Sequence, residues 1–118
     1  MPRYVILTHD HPFLHWDFML EAGAVLRTWR LAEQPRPGAQ IVATPIGDHR
    51  PAYLDYEGPL SGNRGAVTQW DCGHYALLES TDQRHVIRLV GKNLTGIATL
   101  TQIGSEWTFH FSSEVTEG

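Results

Sequence analysis

The sequence has few of the features that stabilise secreted proteins or place proteins in membranes. Cys72 is the only cysteine among 118 residues, so no disulfide can form within the chain. A reducing compartment, the cytoplasm, is therefore the expected location. No apolar run is long enough to span a membrane, and the first residues lack the basic and then apolar pattern of a signal peptide. We expect no membrane partner.

Positive charge is also scarce. Lys92 is the only lysine, the other cationic residues are arginines, and the formal net charge is −4. A chain with this balance does not bind a nucleic-acid duplex through overall electrostatic attraction. A metal ion and a few arginines can nevertheless create a local positive site, so nucleic acid is not excluded as a partner.

The pattern of apolar residues predicts a β protein. Hydrophobic residues make up 42% of the chain, enough for one core, and we expect residues 1–118 to form one domain and a monomer. Apolar and polar residues alternate between turns rich in Gly, Pro, Asn and Asp. The predicted strands are Arg3–Leu7, Leu14–Leu20, Val25–Leu31, Ile41–Thr44, Ala66–Asp71, His74–Glu79, His85–Leu89, Leu94–Thr101 and Trp107–Phe111.

Such a series of short strands favours a barrel, because closure removes exposed strand edges. The predicted fold is mainly β: a small closed or nearly closed barrel of about eight strands, with long loops and little helix. Pro45–Gly62 is predicted to be a long irregular segment, with a turn around Asp48–Tyr56.

Residues that can bind a metal or transfer a proton are concentrated in Thr8–Asp17, which reads T-H-D-H-P-F-L-H-W-D. Strand alternation puts His15 and Asp17 on one face, and His9 can fold back across the bend as a third ligand. Two histidines and one carboxylate hold divalent transition metals and leave positions open for water and substrate. The alternative interpretation is a polar loop with surface histidines.

A second pair, His49 and Tyr53, lies in D-H-R-P-A-Y-L-D-Y-E-G. One helical turn would bring both side chains to one face, because their spacing is four. Imidazole and phenol could then hydrogen-bond a phosphate or protonate a leaving group. The alternative is a loop histidine beside a tyrosine packed on the core.

In this order, the motifs resemble the 3′-phosphoesterase domain of bacterial DNA ligase D. The family pattern begins H-D-x(3)-L-H-x-D and continues with G-x-L-x-S/T-W and D-H-x(3)-Y-x-D-F/Y-E-G. The matching residues are His9-Asp10, Leu14–Asp17, Leu26–Trp29, Asp48-His49, Tyr53 and Asp55–Gly58, and Gly23 lies one residue before the glycine of the second motif. The later part of the pattern also follows in order. It consists of a glycine (Gly65), a W-D-x-G strand (Trp70–Gly73), a G-x-x-L-x-G hairpin (Gly91–Gly96) and a final tryptophan (Trp107). The resemblance spans nearly the whole chain.

The resemblance implies a small barrel whose cavity holds one divalent metal, most often Mn²⁺, with Zn²⁺ or another transition metal as alternatives. It implies a hydrolase of DNA repair that removes a 3′-ribonucleoside and then a 3′-phosphate from the 3′ end of a primer–template. A separate ligase or polymerase is a further expected partner. By this resemblance, His9, His15 and Asp17 carry the metal, and His49 and Tyr53 are the catalytic residues that contact the scissile phosphate.

Further residues are expected to support this site. Asp10, Asp55 and Glu57 would hold the ligands and the active loop, Asp55 and Glu57 by accepting backbone hydrogen bonds. Arg50 is a candidate phosphate-binding residue.

Three positions depart from the family pattern. Met19 stands where the family typically has arginine, Glu33 where it has lysine, and Ile41 where it has arginine. Arginine supplies charge and paired hydrogen bonds that methionine cannot, so we expect reduced or altered activity. Cations that could compensate from loops are Arg36, Arg50 and Arg64.

Two other functions remain open at this stage. A catalytically degenerate module could bind a metal or a nucleic-acid end without converting it. The three missing cations and the acidic net charge favour this function. A metal oxygenase is the other, because two histidines and one carboxylate also suit Fe(II), although the D-H…Y and Y-E-G matches argue against it.

Overall fold

A computed structural model describes residues 1–114 of the chain. These residues form one short 3-10 helix, Pro51–Leu54, and nine strands. The strands are β1 (Arg3–His9), β2 (His15–Ala22), β3 (Val25–Leu31), β4 (Gln40–His49), β5 (Gly58–Pro59), β6 (Ala66–Ser80), β7 (Arg84–Gly91), β8 (Thr95–Ile103) and β9 (Glu106–Ser113). Within residues 1–114, no helix has the length and apolar character needed to cross a membrane.

Eight of these strands close an antiparallel barrel in the order β1, β2, β3, β4, β9, β8, β7 and β6, and β6 returns to pair with β1. The two-residue strand β5 pairs with the start of β6. The predicted fold class is thus confirmed: a small closed β-barrel with almost no helix. The 3-10 helix falls within the turn predicted around Asp48–Tyr56.

Two predicted boundaries are wrong for reasons visible in the strand pairing. Strand β4 continues through Pro45 to His49, inside the segment predicted to be irregular. Its pairing with β9 ends at Ala43, so Pro45 breaks no hydrogen bond on that side. Strand β6 runs unbroken through Gly73, where two strands were predicted. Gly73 marks close backbone contact, because a Cβ there would lie 2.0 Å from the carbonyl oxygen of Val90.

Strands β1 and β2 have apolar residues on both faces, and the two faces belong to different clusters. Tyr4, Ile6, Phe18 and Leu20 join buried side chains from the other long strands in the main core, which fills the barrel interior. The alternate residues of both strands point outward. There they form a second cluster, beneath the segment that contains the 3-10 helix: Val5, Leu7, Met19, Leu26, Leu54 and Val67, with Tyr53 and Leu60 packed against it.

A buried polar network connects β1, β6 and the β7–β8 turn. The Tyr4 hydroxyl donates to Asp71 Oδ2 over 2.6 Å, and the amides of Asn93 and Leu94 donate to the two Asp71 oxygens over 2.8 and 3.2 Å. Gly91 leaves room for this contact, because a Cβ there would lie 1.9 Å from the Tyr4 hydroxyl. Burial and the hydrogen bond to Asp71 raise the pKa of Tyr4 above its usual value.

We expect Asp71→Asn to lower the free energy of unfolding by about 1.5–3 kcal/mol, the usual loss for hydrogen bonds to a buried charged group. Both carboxylate oxygens accept hydrogen bonds, and an amide NH₂ cannot replace either of them. Urea unfolding measures the change. Asp82→Asn makes the same substitution at an exposed position and is expected to leave stability nearly unchanged. Equal midpoints for the two variants would contradict a stabilising role for this network.

Candidate metal centre and active site

The outward face of β1 and β2 brings together His9, His15 and Asp17. In the antiparallel register, His9 lies opposite His15 and Leu7 lies opposite Asp17. One ligating atom from each of the three residues lies within 4.8 Å of the other two. His15 and Asp17 share a face, as alternation predicts, and the Asp10–Leu14 bend returns the chain so that His9 meets them.

Backbone carbonyls define which nitrogen of each imidazole carries a proton. His9 Nε2 lies 2.9 Å from the carbonyl oxygen of Arg64, and His15 Nδ1 lies 2.8 Å from the carbonyl oxygen of Phe13. A carbonyl oxygen only accepts, so these two nitrogens are the donors. In the neutral rings, His9 Nδ1 and His15 Nε2 therefore hold the free lone pairs.

Both lone pairs face the Asp17 carboxylate. His9 Nδ1 lies 3.3 Å from Oδ2, and His15 Nε2 lies 3.2 Å from Oδ1. His15 and Asp17 are buried, and within the described residues neither His15 Nε2 nor Asp17 Oδ1 has a hydrogen-bond partner. Electron-rich atoms that converge in this way repel each other unless a cation or a proton lies between them. This donor set fits a divalent transition metal, with each histidine oriented by a carbonyl behind it.

Gly65 permits the approach of the Arg64 carbonyl to His9. The Gly65 φ is +76°, and a Cβ added there would lie 2.1 Å from Asp10 Oδ1. The same Asp10 oxygen accepts a hydrogen bond from the Ala66 amide over 2.9 Å. Asp10 thus fixes the backbone that carries the carbonyl behind His9.

A cavity of about 80 Å³ on the outer wall of the barrel is lined by two of these candidate ligands, His9 and Asp17, and we call it the metal cavity. Nine residues line it: Leu7, His9, Asp17, Met19, His49, Tyr53, Leu60, Arg64 and Val67. The residues expected to carry the metal thus lie on the outer face of the barrel and not in its interior, where the cavity was expected. The barrel interior is filled by the main core. The metal cavity lies between the outer wall and residues 50–65, which connect β4 to β6 and which we call the covering segment.

His49 and Tyr53 both line the metal cavity, but the expectation that one helical turn joins them is wrong, because the 3-10 helix begins at Pro51. His49 ends β4, Tyr53 belongs to the 3-10 helix, and their rings meet edge to face at 5.5 Å. Among the described residues, the buried His49 Nδ1 has no hydrogen-bond partner. The pair thus presents a ring nitrogen and a phenol beside the metal cavity, where they can contact a phosphate.

Asp55 and Glu57 anchor the covering segment in different ways. Glu57 Oε2 accepts a hydrogen bond from the Gln69 amide over 2.8 Å. The exposed Asp55 contacts the Arg3 guanidinium at 2.7 Å instead of a backbone donor. This hydrogen bond lowers the pKa of Asp55 below its usual value.

Of the three departures from the family pattern, only Met19 lies in the metal cavity, where it is buried. Glu33 is outside the cavity lining and forms an ion pair with Arg36 at 3.0 Å, so Arg36 is engaged there as well. Ile41 is fully buried in the main core. The loss of positive charge at the site is thus confined to the position of Met19.

Arg30 is a cation beside the site that the sequence reasoning did not single out. It lies directly opposite Asp17 in the β2–β3 ladder, so both residues are on the outer face. Its guanidinium lies 5.5 Å from the Phe13 ring, which is 5.6 Å from the His15 ring, and its buried Nε has no partner among the described residues. The tight Gly23-Ala24 turn could have revealed this register from sequence.

Comparisons with known proteins agree with the motif order. A family model of the DNA Ligase D 3′-phosphoesterase domain matches residues 7–102. The multifunctional non-homologous end joining protein LigD of Pseudomonas aeruginosa is 34% identical over 104 residues, covering 80% of this chain and 12% of the relative. The corresponding DNA repair protein of Mycobacterium tuberculosis is 30% identical over 117 residues, covering 91% of this chain and 15% of the relative. The chain thus spans a small part of the curated relatives it matches.

We expect Gly65→Ala to weaken Mn²⁺ binding by about 10- to 100-fold, the usual effect of losing a group that orients a metal ligand. The added methyl group displaces Asp10 and with it the Arg64 carbonyl behind His9. Isothermal titration calorimetry measures the change in Kd. Gly62→Ala is the matched control, because Gly62 also has a positive φ but its Cβ would meet only Arg64 Nε, at 4.0 Å. Equal affinities in the two variants would contradict this role of Gly65.

Proposed function

Because this chain belongs to the DNA ligase D 3′-phosphoesterase domain family, we propose that it is a metal-dependent phosphoesterase acting on nucleic-acid 3′ ends. Its substrates are a primer end that carries a 3′-phosphate and one that carries a single 3′-ribonucleoside. The observation that carries the proposal is the convergence of two histidine nitrogens on the buried Asp17 carboxylate. With both rings neutral, His15 Nε2 and Asp17 Oδ1 have no partner among the described residues, and a bound divalent ion would satisfy them.

His9 Nδ1, His15 Nε2 and a carboxylate oxygen of Asp17 would hold the ion, with Mn²⁺ as the first candidate and Zn²⁺ as an alternative. When bound, a divalent ion there supplies charge to offset that of the phosphate and lowers the pKa of coordinated water. The Arg64 and Phe13 carbonyls keep both rings in the tautomers that binding requires.

The protein residues around the ion orient the phosphate and donate hydrogen bonds or a proton to its oxygens. His49 Nδ1, which has no partner among the described residues, donates as N–H to a phosphate oxygen or to the departing oxygen. The Tyr53 hydroxyl donates to another phosphate oxygen. The apolar side chains of Leu7, Met19 and Val67 exclude water from the rest of the metal cavity.

Positive charge for the phosphate comes from positions other than 19. Arg64 lines the metal cavity, Arg50 lines the neighbouring surface, and Arg30 lies opposite Asp17 in the ladder. Met19 supplies no charge where the family pattern has arginine, and one lost donor of this kind lowers rates by about 10²–10³-fold. Arg30 and Arg50 offset part of that loss, which favours reduced rather than abolished activity.

The remaining expectations complete the proposal. We propose that residues 1–118 act as one domain, as a monomer in the cytoplasm, beside a separate ligase or polymerase. The names of the relatives, which describe multifunctional end-joining proteins, support a partner of this kind.

The second candidate function is a degenerate module that binds an end without converting it. Met19 in the metal cavity favours this function, because it carries no charge to bind the phosphate.

A primer assay tests the proposal. A 5′-labelled primer–template with a 3′-phosphate or one 3′-ribonucleotide is expected to be trimmed with Mn²⁺ and to remain intact with EDTA. Asp17→Ala is expected to abolish trimming, because it removes a metal ligand, and His49→Ala to slow it by about 10²–10⁴-fold. Asp82→Ala, at an exposed aspartate, is the matched control. Full turnover in EDTA contradicts metal dependence, and binding without trimming moves the assignment to the degenerate module.

The same assay tests Arg30. Arg30→Gln is expected to raise KM for the 3′-phosphate primer, because it removes a charge beside Asp17. Arg88→Gln is the matched control, since Arg88 pairs with Glu114 on the surface. An unchanged KM for Arg30→Gln would exclude this residue from phosphate binding.

A further inference from the structure

A groove of about 330 Å³ opens beside the metal cavity, and we call it the Arg–Tyr groove. Tyr53, Leu60 and Arg64 line both spaces, so the groove is a lateral continuation of the metal cavity. Its volume lies near the lower end of the range for small-molecule sites, roughly 300–1,000 Å³. Such a space suits one small group next to the reacting phosphate and is too small for a duplex.

The lining of the Arg–Tyr groove combines aromatic rings with positive charge. Tyr56 is exposed, and its ring lies 6.2 Å from that of Tyr53 at an angle of 87°. Arg64 is held in place by Ser61, with Nε 2.7 Å from the carbonyl oxygen and Nη2 3.0 Å from Oγ. Arg50 contributes a second exposed guanidinium.

This chemistry matches one nucleoside attached to a phosphate. Tyrosine rings stack on any base, and arginine guanidinium groups stack on bases or bind phosphate oxygens. Within the lining, the Tyr56 ring is the aromatic surface farther from the metal ligands, because Tyr53 also lines the metal cavity. A phosphate at the ligands would therefore place an attached nucleoside toward Tyr56.

We propose that the Arg–Tyr groove binds the 3′-terminal nucleoside that leaves when the last phosphodiester is hydrolysed. This inference rests on the proposed function. In the step, the oxygen of one water bonds to phosphorus and the bond from phosphorus to O5′ of the terminal nucleoside breaks. The water loses one proton and O5′ gains one, so the primer keeps a 3′-phosphate and a free nucleoside leaves. A primer that already ends in a 3′-phosphate places nothing in the groove.

Comparing the two substrates therefore tests the Arg–Tyr groove separately from the metal cavity. We expect Tyr56→Ala to lower kcat/KM for removal of a 3′-ribonucleoside by about 5- to 150-fold, which corresponds to about 1–3 kcal/mol for one stacked base. The kcat/KM of Tyr56→Ala for removal of a 3′-phosphate is expected to stay within about twofold of the wild-type value. Tyr56→Phe retains the stacking ring and is expected to retain most of the nucleoside removal.

A filling variant tests the same groove independently of Tyr56. Ala52 is exposed and lines the groove, so Ala52→Trp is expected to block it and to slow nucleoside removal selectively. Ala24→Trp adds the same side chain to the exposed β2–β3 turn and serves as the matched control. Equal losses of both reactions in Tyr56→Ala and Ala52→Trp would overturn the proposal, as would no loss in either.

Binding without turnover provides a second readout. In EDTA, fluorescence anisotropy compares the Kd of a primer–template ending in a 3′-ribonucleotide with that of one ending in a 3′-phosphate. The wild type is expected to prefer the ribonucleotide end, and Tyr56→Ala to lose the preference. If the wild type trims neither substrate, the proposed function fails, and this preference still decides whether the groove binds a nucleoside. No preference in the wild type overturns the inference.

Discussion

The site depends on one constraint: two imidazoles whose protonated nitrogens are already bonded to backbone carbonyls. Because Arg64 and Phe13 accept from His9 Nε2 and His15 Nδ1, the remaining nitrogen of each neutral ring presents its lone pair to Asp17. The strand register brings these atoms together, and Gly65 with Asp10 fixes the carbonyl behind His9. The fold thus assembles electron-rich atoms in a pattern that a cation satisfies better than protein atoms do.

The covering segment joins this site to the stability of the barrel. Leu54, Tyr53 and Leu60 pack on the apolar outer face of β1 and β2, and the same segment carries the aromatic and arginine residues around the metal cavity. Met19 belongs to both the apolar cluster and the cavity lining. Methionine at this position thus extends the apolar contact and carries no charge, and the nearby cations are Arg30 on β3 and Arg50 and Arg64 in the covering segment.

Much of the site could be predicted from sequence because its geometry is local. A strand period of two places His15 with Asp17, and a short bend returns His9. His49 and Tyr53 also lie together, but by a different route from the expected helical turn, since His49 ends β4 and the 3-10 helix begins at Pro51. The long-range features could not be read in this way. The contact of His9 with the Arg64 carbonyl joins residues 55 positions apart. Alternation also shows which residues share a face without showing which face is the barrel interior, so the metal cavity was expected inside the barrel. Gly73, inside β6, resembled a turn because the close approach of Val90 leaves no mark in the local sequence.

Anomalous diffraction at the manganese edge, from crystals grown with Mn²⁺, tests the central claim most directly. The predicted result is one strong peak within bonding distance of His9 Nδ1, His15 Nε2 and a carboxylate oxygen of Asp17, with the two carbonyl contacts retained. A peak bound through His9 Nε2, a peak at other residues, or no peak at these three side chains at saturating Mn²⁺ would contradict it.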